Sequence, residues 1–528
     1  MNKIFGFLVF IFIGLAWLSP FHMNPWLTAS SEILTFLSLF SLIIFFKDRE
    51  LSLQKKHLFF LGISIIPLVQ YSLGIIFFFE TALLCFCYLF CAGLCFIYGS
   101  NFKIEEIQHV ENKLFTFLFF ISSIVALFGF VQFLGLEKGI WFITPLNNSE
   151  RIYSNFSQPN NMATFLNMGF ISAIWLLIHR KISFFLYMLI STLIIFCVFF
   201  SYSRVGLVGL FLILFLTLIY LFYKKYEKKY LYAIFYSALL LFLIIFLKKE
   251  IISIFNYFGL GLESKLSLQD RFSSIGGRST MWVQMLYAIK ENPLLGYGWN
   301  QTAIAQINAA NFAYHYEQTR SAHNIFLDIL IWNGNILGSI IIASLIIILL
   351  KVFSSKKGDF FLKLIIIIFC IHALLEFPQN YAYFLFFVCF IIGLILNNNY
   401  IIKVIKIHKI FNLIFLFLFS IIFSLIIRDY LNYKFILVNY TKEDYKNNII
   451  NEKLIVLDRI DTLLSWVLVE KRNINEIHRI HNYSKFIMTA PTEYNLLNIM
   501  EIHKKNNLTK EFNEFCVYYV NLYKKECK

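Results

Sequence analysis

The chain has 528 residues, of which 59% are hydrophobic and only 15% are charged. This composition excludes a water-soluble protein, which could not keep so much apolar surface out of water, and it predicts a polytopic membrane protein. The formal net charge of +15 would suggest nucleic-acid binding in a soluble domain, but the basic residues fall in short segments between apolar runs, so we expect no nucleic-acid partner.

Apolar runs near the length that a helix needs to cross a bilayer recur along the chain, which predicts an all-α fold with about 13 transmembrane helices. The runs cover approximately residues 4–19, 32–46, 58–76, 79–98, 114–133, 161–178, 182–200, 204–222, 231–247, 324–350, 362–377, 381–396 and 411–427. No small-residue cleavage site follows the first run, so we predict a membrane span there and not a signal peptide.

Lysine and arginine are concentrated in alternate segments between these runs. All of these segments lie on one side of the membrane if the N-terminus is cytoplasmic, and the short segments on the opposite side carry few cations, chiefly Lys138, Arg151 and Arg204. This distribution follows the positive-inside rule. It predicts that residues 248–322 and the tail after residue 427 lie outside the cytosol, in the periplasm of a Gram-negative cell.

We therefore predict four parts: helices 1–9 in residues 1–247, a large periplasmic loop in 248–323, helices 10–13 in 324–427, and a C-terminal helical periplasmic domain in 428–528. The last part has leucine and isoleucine at helical spacing. It could dock a partner protein or only stabilise the rest of the chain. Its two cysteines, Cys516 and Cys527, could form a disulfide in an oxidising compartment.

A polar segment, Arg151–Thr164, leads into the sixth predicted span. Pro159 suits the first turn of a helix, where its missing N–H has no partner to lose. Gln158 and Asn160 then lie at the outer end of that helix, whose N–H groups and dipole favour an anion. The same amide side chains could instead only cap the helix.

Two arginines also belong to the predicted outer face. Arg204 begins the eighth span, where a cation can simply extend to the interface, and Arg278 lies in the large loop. A guanidinium group matches two phosphate oxygens, so two arginines and helix N-termini on one face would suit a diphosphate.

The stretch from Gly277 to Asn324 is a polar island whose Gly, Trp and Tyr residues favour a folded loop. His323 lies where the chain re-enters the membrane, and a histidine can accept a proton from a hydroxyl near neutral pH. A lone histidine there could equally be an interfacial or capping residue. Glu376, at the outer end of the eleventh span, needs a partner at membrane depth, and we expect one of the arginines or His323.

The sequence shows no Asp-x-Asp pair suited to a metal-bound nucleotide sugar, no phosphate-binding Walker loop and no dinucleotide-binding glycine motif. We therefore expect no metal and no cofactor. Nucleotides are also absent from the non-cytosolic face of a membrane. Any donor used there has to be activated beforehand and carried on a lipid.

Five segments, in order, resemble the O-antigen ligase/polymerase superfamily and, within it, the PglL-type O-oligosaccharyltransferases. They are His22–Trp26 with Glu32, Arg151–Thr164, Ser203–Arg204, Gly277–Gln301, and His323–Asn324 followed by Glu376–Pro378. The resemblance extends nearly end to end and includes the tail. The pair Gln379–Asn380 departs from the more apolar pair common in relatives, so Tyr381 and Tyr383 both remain candidates for the functional tyrosine of the family.

The resemblance implies an inverting glycosyltransferase that works without metal or cofactor. It would move a glycan en bloc from undecaprenyl diphosphate to a serine or threonine hydroxyl, at the periplasmic face of the bacterial inner membrane. His323 would be catalytic and would orient or deprotonate the acceptor. The implied substrate-binding residues are Arg204 and Arg278 at the diphosphate, and Gln158, Asn160, Arg151, Glu376, Tyr381 and Tyr383.

The expected partners are the lipid-linked donor, membrane lipid and a periplasmic acceptor protein such as a pilin. Transfer to lipid A–core and glycan polymerisation remain alternatives, since they share this chemistry and differ only in the acceptor. A transporter or flippase is a further alternative from another class. It would require charged groups near the bilayer midplane, whereas here they gather at one face.

Overall fold

The computed structural model describes residues 2–146, 151–260, 275–315, 317–356, 358–397, 405–439, 454–468 and 477–527. The elements in chain order are α1 Asn2–Leu18, α2 Ala29–Phe45, β1 Leu51–Leu53, α3 Lys55–Ser72, α4 Phe79–Ser100, α5 Ile104–Phe133, α6 Pro159–Ile178, α7 Phe184–Phe200, α8 Arg204–Tyr223, α9 Lys228–Phe246, α10 Lys248–Tyr257, α11 Ile275–Glu291, α12 Thr302–Ala309, α13 Ile325–Ser354, α14 Phe360–Leu375, α15 Ala382–Ile395, β2 Ile405–Ile407, α16 Ile410–Asn439, α17 Asp458–Leu468, α18 Ile477–Thr489, α19 Glu493–Lys505 and α20 Thr509–Tyr523. A single 3-10 turn, Pro378–Asn380, lies between α14 and α15. The architecture is therefore mostly helical, as predicted.

Every one of the predicted apolar runs overlaps a helix. Within the described residues, seven helices, namely α4, α5, α6, α8, α9, α13 and α16, are long and apolar enough to cross a membrane. Five shorter apolar helices, α1, α2, α7, α14 and α15, have 10–17 residues, and α3 carries Pro67 and several polar residues. The structure thus supports a multi-pass membrane protein, while the figure of about 13 crossings stays a prediction.

The chain divides into two compact units that are interleaved along the sequence. The first unit comprises Met1–Gln54, Leu94–Phe272 and Leu350–Lys409, and the second comprises Lys55–Gly93, Ser273–Leu349 and Ile410–Lys528. A two-stranded antiparallel sheet, β1 with β2, belongs to the first unit. The candidate residues divide between the two units.

Helix α6 is the central helix of the first unit. Every residue of its 18-residue apolar window is buried, and it packs against α5, α7, α8 and α14. A Cβ at Gly206 of α8 would lie 2.5 Å from the Cβ of Ala163 in α6, so only glycine allows this approach. The Asn167 amide donates to the Gly206 carbonyl at 2.9 Å. These contacts lie near the start of both helices, so α6 and α8 run parallel.

The second unit has a membrane-type part and a polar helical part. In the first, α11, α12 and the residues between them pack against α3, α4 and α13 around buried Met285, Tyr297 and Trp332. In the second, α17 to α20 share a core with Ile307 of α12. The described residues of the tail are thus helical, as predicted, and a disulfide joins Cys516 to Cys527.

One helix extends further than its apolar run. The sequence predicts a span that ends near residue 427, but α16 continues to Asn439. Arg428 and Asp429 end the continuous apolar run, yet Leu431, Phe435 and Ile436 continue at helical spacing, so the helix does not stop. The helical spacing of leucine and isoleucine in the tail begins at residue 451, where residues 451–453 lie outside the described residues, and the helix observed there is α17, Asp458–Leu468.

Candidate active site

The first turn of α6 is fixed by its own sequence. Pro159 occupies the first helical position, as predicted, and the side-chain oxygen of Gln158 accepts a hydrogen bond from the Asn161 N–H at 2.8 Å. Gln158 is therefore the N-cap of the helix. This cap positions the side chains of Asn160 and Asn161 at the end of a fully buried helix.

Arg151, Asn160 and Glu376 form a connected polar group in the first unit. The Asn160 amide nitrogen donates to Glu376 Oε1 at 3.0 Å, and its oxygen accepts from Arg151 Nη2 at 3.4 Å. Glu376 is 5% exposed, so the amide supplies the partner that a carboxyl group needs at this depth. We expected an arginine or His323 as that partner. One hydrogen bond to Glu376 comes from the Asn160 amide, and Arg151 is linked to Glu376 through that same amide.

The start of α8 lies beside the start of α6. Ser203 caps α8 by accepting from the Gly206 N–H at 3.0 Å, which makes Arg204 the first residue of the helix. Arg151 Nε donates to the carbonyl of Ser201 at 2.8 Å and so ties the segment before α6 to the turn before α8. The N-termini of α6 and α8, which are the positive ends of the helix dipoles, thus lie close to the segments that carry Arg151 and Arg204.

The two candidate tyrosines have different surroundings. The hydroxyl of Tyr383 accepts from the Asn161 amide at 3.2 Å, and Tyr383 is only 2% exposed. Tyr381 is partly exposed and is the residue before α15, with its ring centroid 5.4 Å from that of Tyr383. Tyr383 is thus held inside the protein, whereas Tyr381 retains an accessible surface for a ligand.

Residues outside our candidate set hold this region together. The backbone N–H of Ala382 donates to Glu32 Oε2 at 2.9 Å. Buried Gln132 accepts from the Tyr153 and Ser154 N–H groups at 3.1 and 2.6 Å and so folds the segment before α6. Sequence reasoning missed Gln132, although a glutamine inside an apolar run is a signal that a buried polar contact exists.

In the second unit, the segment between α11 and α12 packs against a break in α13. Gly334, in the middle of α13, has φ +72°, and the N–H groups of Tyr297 and Gly298 donate to the carbonyls of Ile331 and Trp332 at 2.8 and 3.1 Å. The Asn335 N–H donates to the Pro293 carbonyl at 2.6 Å. The polar island is thus a folded loop, as predicted, and it pairs with the backbone that the break exposes.

Arg278 and His323 lie on two segments of the second unit that a hydrogen bond ties together. Arg278 lies on α11 one helical turn before Trp282, so the two side chains share a face of the helix. The Trp282 indole N–H donates to the carbonyl of Ala322 at 2.9 Å, and Ala322 immediately precedes His323. This contact holds the turn that carries His323 against α11, the helix that carries Arg278.

His323 has a left-handed backbone conformation, with φ +51°. Its N–H donates to Ser321 Oγ at 3.0 Å, and the next residue, Asn324, caps α13 by accepting from the N–H groups of Phe326 and Leu327. The left-handed region is costly for a residue with a Cβ, so the local contacts must select it. The imidazole is partly exposed at this helix start.

His315, the other histidine of the loop, is 4% exposed and lies 3.1 Å from Thr280 Oγ1 through its Nδ1. Burial lowers the pKa of His315, and the nearby imidazole of His323 lowers it further, against the opposing effect of Glu317. His315 is therefore a neutral, enclosed residue at neutral pH, and it is less suited than His323 to meet a substrate.

The structure thus forms two groups. Arg151, Asn160, Glu376 and, through Asn161, Tyr383 are connected in the first unit, which also contains Arg204. The second unit contains Arg278 and His323. Gln158 belongs to the first group as its helix cap, with its side-chain oxygen engaged by the Asn161 N–H.

Comparisons with known proteins agree with these motifs. Residues 189–343 match the family described as O-Antigen ligase, and residues 360–457 match the family described as Virulence factor membrane-bound polymerase, C-terminal. A General O-oligosaccharyltransferase of Acinetobacter baylyi is 31% identical over 533 residues, covering 98% of this chain and 92% of the relative. A ComP-specific O-oligosaccharyltransferase of the same organism is 28% identical over 402 residues, covering 74% and 70%.

Proposed function

The chain belongs to the O-oligosaccharyltransferase family, and we propose that it moves a glycan en bloc from undecaprenyl diphosphate to a serine or threonine hydroxyl of a periplasmic protein. The end-to-end match to the general enzyme of Acinetobacter baylyi carries this conclusion. A lipid-linked donor and a protein acceptor follow from that family. The undecaprenyl chain, the periplasmic site and a pilin-like acceptor are our proposals.

For the donor, we propose that Arg204 and Arg278 hold the diphosphate. Charge builds on this leaving group as the bond to the sugar breaks, and fixed cations stabilise such charge strongly in a site shielded from water. The parallel starts of α6 and α8 support an anion site near Arg204, because helix N-termini attract negative charge. No divalent metal has a role in this proposal.

For the acceptor, we propose that His323 orients the hydroxyl and takes its proton. The acceptor oxygen forms a bond to the anomeric carbon while the bond from that carbon to the diphosphate oxygen breaks, so the configuration inverts. The proton passes to the imidazole and the electron pair leaves with the lipid diphosphate. Proton transfer of this kind contributes about 10²–10⁴-fold to an enzymatic rate.

For the sugar, we propose that Gln158, Asn160, Arg151, Glu376 and a tyrosine shape the site around the first residue of the glycan. The Arg151–Asn160–Glu376 connection supports a preformed polar wall. Tyr381 is the better candidate for direct contact, because Tyr383 is buried against Asn161. Tyr383 would then act by holding the start of α6.

For location, we propose the bacterial inner membrane with the site facing the periplasm. The lysine and arginine distribution favours this orientation. The Cys516–Cys527 disulfide is independent support for a periplasmic location of the tail, since disulfides persist in oxidising compartments.

Reconstitution tests the reaction and the role of His323 together. Purified enzyme, a lipid-linked oligosaccharide and an acceptor protein should give a glycoprotein of the summed mass. His323→Ala should reduce the rate at least about 100-fold while insertion and thermal stability stay normal. His109→Ala, at an exposed position of α5, is the control and should keep full activity. Full transfer by His323→Ala would remove this residue from the mechanism.

The acceptor class needs a test in cells, because the O-antigen ligase match covers part of the chain. Deletion of the gene should remove the glycan mass from periplasmic proteins and leave the lipopolysaccharide ladder intact. Loss of the ladder with protein masses unchanged would instead assign transfer to lipid A–core.

A further inference from the structure

Asp328, in the first turn of α13, is a carboxylate that the mechanism above does not use. It is fully buried, with 0% exposure, on a helix that is long and apolar enough to cross a membrane. An acid in such a helix is costly and is retained where it has a function or a strong set of partners. Its contacts therefore indicate what it does.

The carboxylate accepts three hydrogen bonds from two neighbouring segments. Ser321 Oγ donates to Oδ2 at 2.6 Å, and the Ala322 N–H donates to Oδ1 at 2.8 Å. Thr302 Oγ1, at the start of α12, donates to Oδ1 at 3.2 Å and itself accepts from the Trp332 indole at 2.9 Å. One side chain thus fixes the two residues that precede His323.

The first of these bonds continues to the backbone of His323. The His323 N–H donates to Ser321 Oγ, and the Ser321 hydroxyl donates in turn to Asp328. The chain of donors ends at a negative charge, which strengthens each bond in it. This arrangement accounts for the left-handed conformation of His323, which an isolated turn would not favour.

A simple capping role does not explain Asp328. Asn324 already caps α13 through the N–H groups of Phe326 and Leu327. Asp328 instead directs its two oxygens to the turn before the helix. It is also close enough to His323 to interact with it electrostatically.

We propose that Asp328 is the positioning residue of His323: it holds the His323 turn and supplies the negative charge that stabilises the imidazolium formed during transfer. This inference rests on the proposed role of His323 as the proton acceptor. Asp328 itself touches neither donor nor acceptor. Its effect reaches the reaction only through His323.

The pH dependence of the reaction separates this role from a structural one. Asp328 of α13 and His315 of the loop both interact electrostatically with His323, and Arg278 lies on the adjoining helix α11. Trp282 of α11 bonds to Ala322, and Thr302 of α12 bonds to Asp328, so these two contacts to the turn come from neutral side chains. Loss of the carboxylate charge should therefore act directly on the imidazole.

The decisive variant is Asp328→Asn, measured in the reconstituted full-length enzyme. Asparagine keeps an oxygen for the Ala322 and Thr302 donors, and Ser321 can turn its hydroxyl to accept from the new amide. The fold is thus preserved while the charge is lost. We expect kcat to fall about tenfold or more, the acidic limb of the kcat–pH profile to move down by about half a unit or more, and KM for the donor to stay unchanged.

Asp359→Asn is the matched control, because Asp359 caps α14 in the first unit by accepting from the Phe361 N–H, whereas His323 belongs to the second unit. It should lower thermal stability without moving the pH profile. An Asp328→Asn enzyme with the wild-type profile and kcat would overturn the inference while His323→Ala remains inactive. An active His323→Ala enzyme would instead overturn the proposed mechanism, and this inference with it.

Discussion

The side-chain amide of Asn160 donates a 3.0 Å hydrogen bond to Glu376 and so joins the first turn of α6 to the end of α14. The amide oxygen of the same residue accepts from Arg151. Asn160 can therefore adopt only one orientation, with its nitrogen toward the carboxyl group. The three side chains form one connected group, so replacing one of them should alter the contacts of the other two.

Replacement of Glu376 tests this connection. Glu376→Ala leaves a buried amide donor without its acceptor, at a cost of about 1–3 kcal/mol, and should lower the transfer rate about tenfold or more. Glu376→Gln keeps an oxygen that can accept from Asn160 and should lose less than the alanine variant. Rates of the purified enzymes at saturating donor provide the comparison. Equal losses in the two variants would show that the charge matters and the hydrogen bond does not.

The two arginines proposed for the diphosphate should not tolerate lysine. Lysine keeps the positive charge but cannot bind two phosphate oxygens in a fixed plane, so Arg204→Lys and Arg278→Lys should each raise KM for the donor or lower kcat by about tenfold. Arg180→Lys is the control, because Arg180 forms an exposed pair with Glu227 and should be neutral. Wild-type kinetics for Arg278→Lys would argue against a two-point contact there.

The break in α13 should depend on glycine. A Cβ at position 334 would lie 2.3 Å from the Leu294 carbonyl oxygen, and the backbone conformation alone, with φ 72° and ψ 178°, costs a residue with a Cβ about 1–3 kcal/mol. Gly334→Ala should therefore lower the thermal unfolding temperature in detergent and weaken the packing of the 292–301 loop. Gly62→Ala, in α3 with nothing within 4 Å of the added Cβ, should leave that temperature unchanged or raise it. The same shift in both variants would contradict this account.

The tail should lose stability in acid through His503. Burial lowers the pKa of His503, with Glu511 and Glu514 opposing the shift, so the folded chain binds this proton more weakly than the unfolded chain does. The resulting stability is complete above the ordinary value of 6.5 and is lost as the pH falls below it. Hydrogen exchange of α18 and α19 between pH 7.5 and about 5 measures this loss.

His503→Asn should reduce that dependence, since an amide can still bond to Ser484 but does not titrate in this range. His481→Asn, at an exposed position of α18, should keep the wild-type dependence. A His503→Asn protein whose protection against exchange, corrected for the intrinsic rate at each pH, still falls in acid as in the wild type would assign the effect to other groups.

Much of the architecture follows from patterns that are local in sequence. Apolar runs locate the helices, and Pro159 preceded by Gln158 specifies the start of α6. The parallel course of α6 and α8 also agrees with the predicted alternation of spans. Helix α16 continues about three turns past the predicted end of its span, because a loss of continuous hydrophobicity is not the end of a helix.

Contacts between distant segments were harder to predict. Glu376 and Asn160 are 216 residues apart, and nothing local distinguishes the amide from an arginine as the partner. Asp328 did carry a signal, since an acid within an apolar run five residues after His323 is unusual, and we overlooked it. Gly334 carried no such signal in the sequence, because an isolated glycine inside a span is common. Only the approach of the 292–301 loop makes glycine necessary at this position.

The complete enclosure of α6 has a consequence for biogenesis. It is the least hydrophobic of the seven long apolar helices, and protein covers it on every side. Two of its amide side chains, Asn161 and Asn167, donate to Tyr383 of α15 and Gly206 of α8, which are synthesised later. The nascent helix therefore cannot settle in lipid by itself, and we expect it to remain with the insertion machinery until those partners arrive.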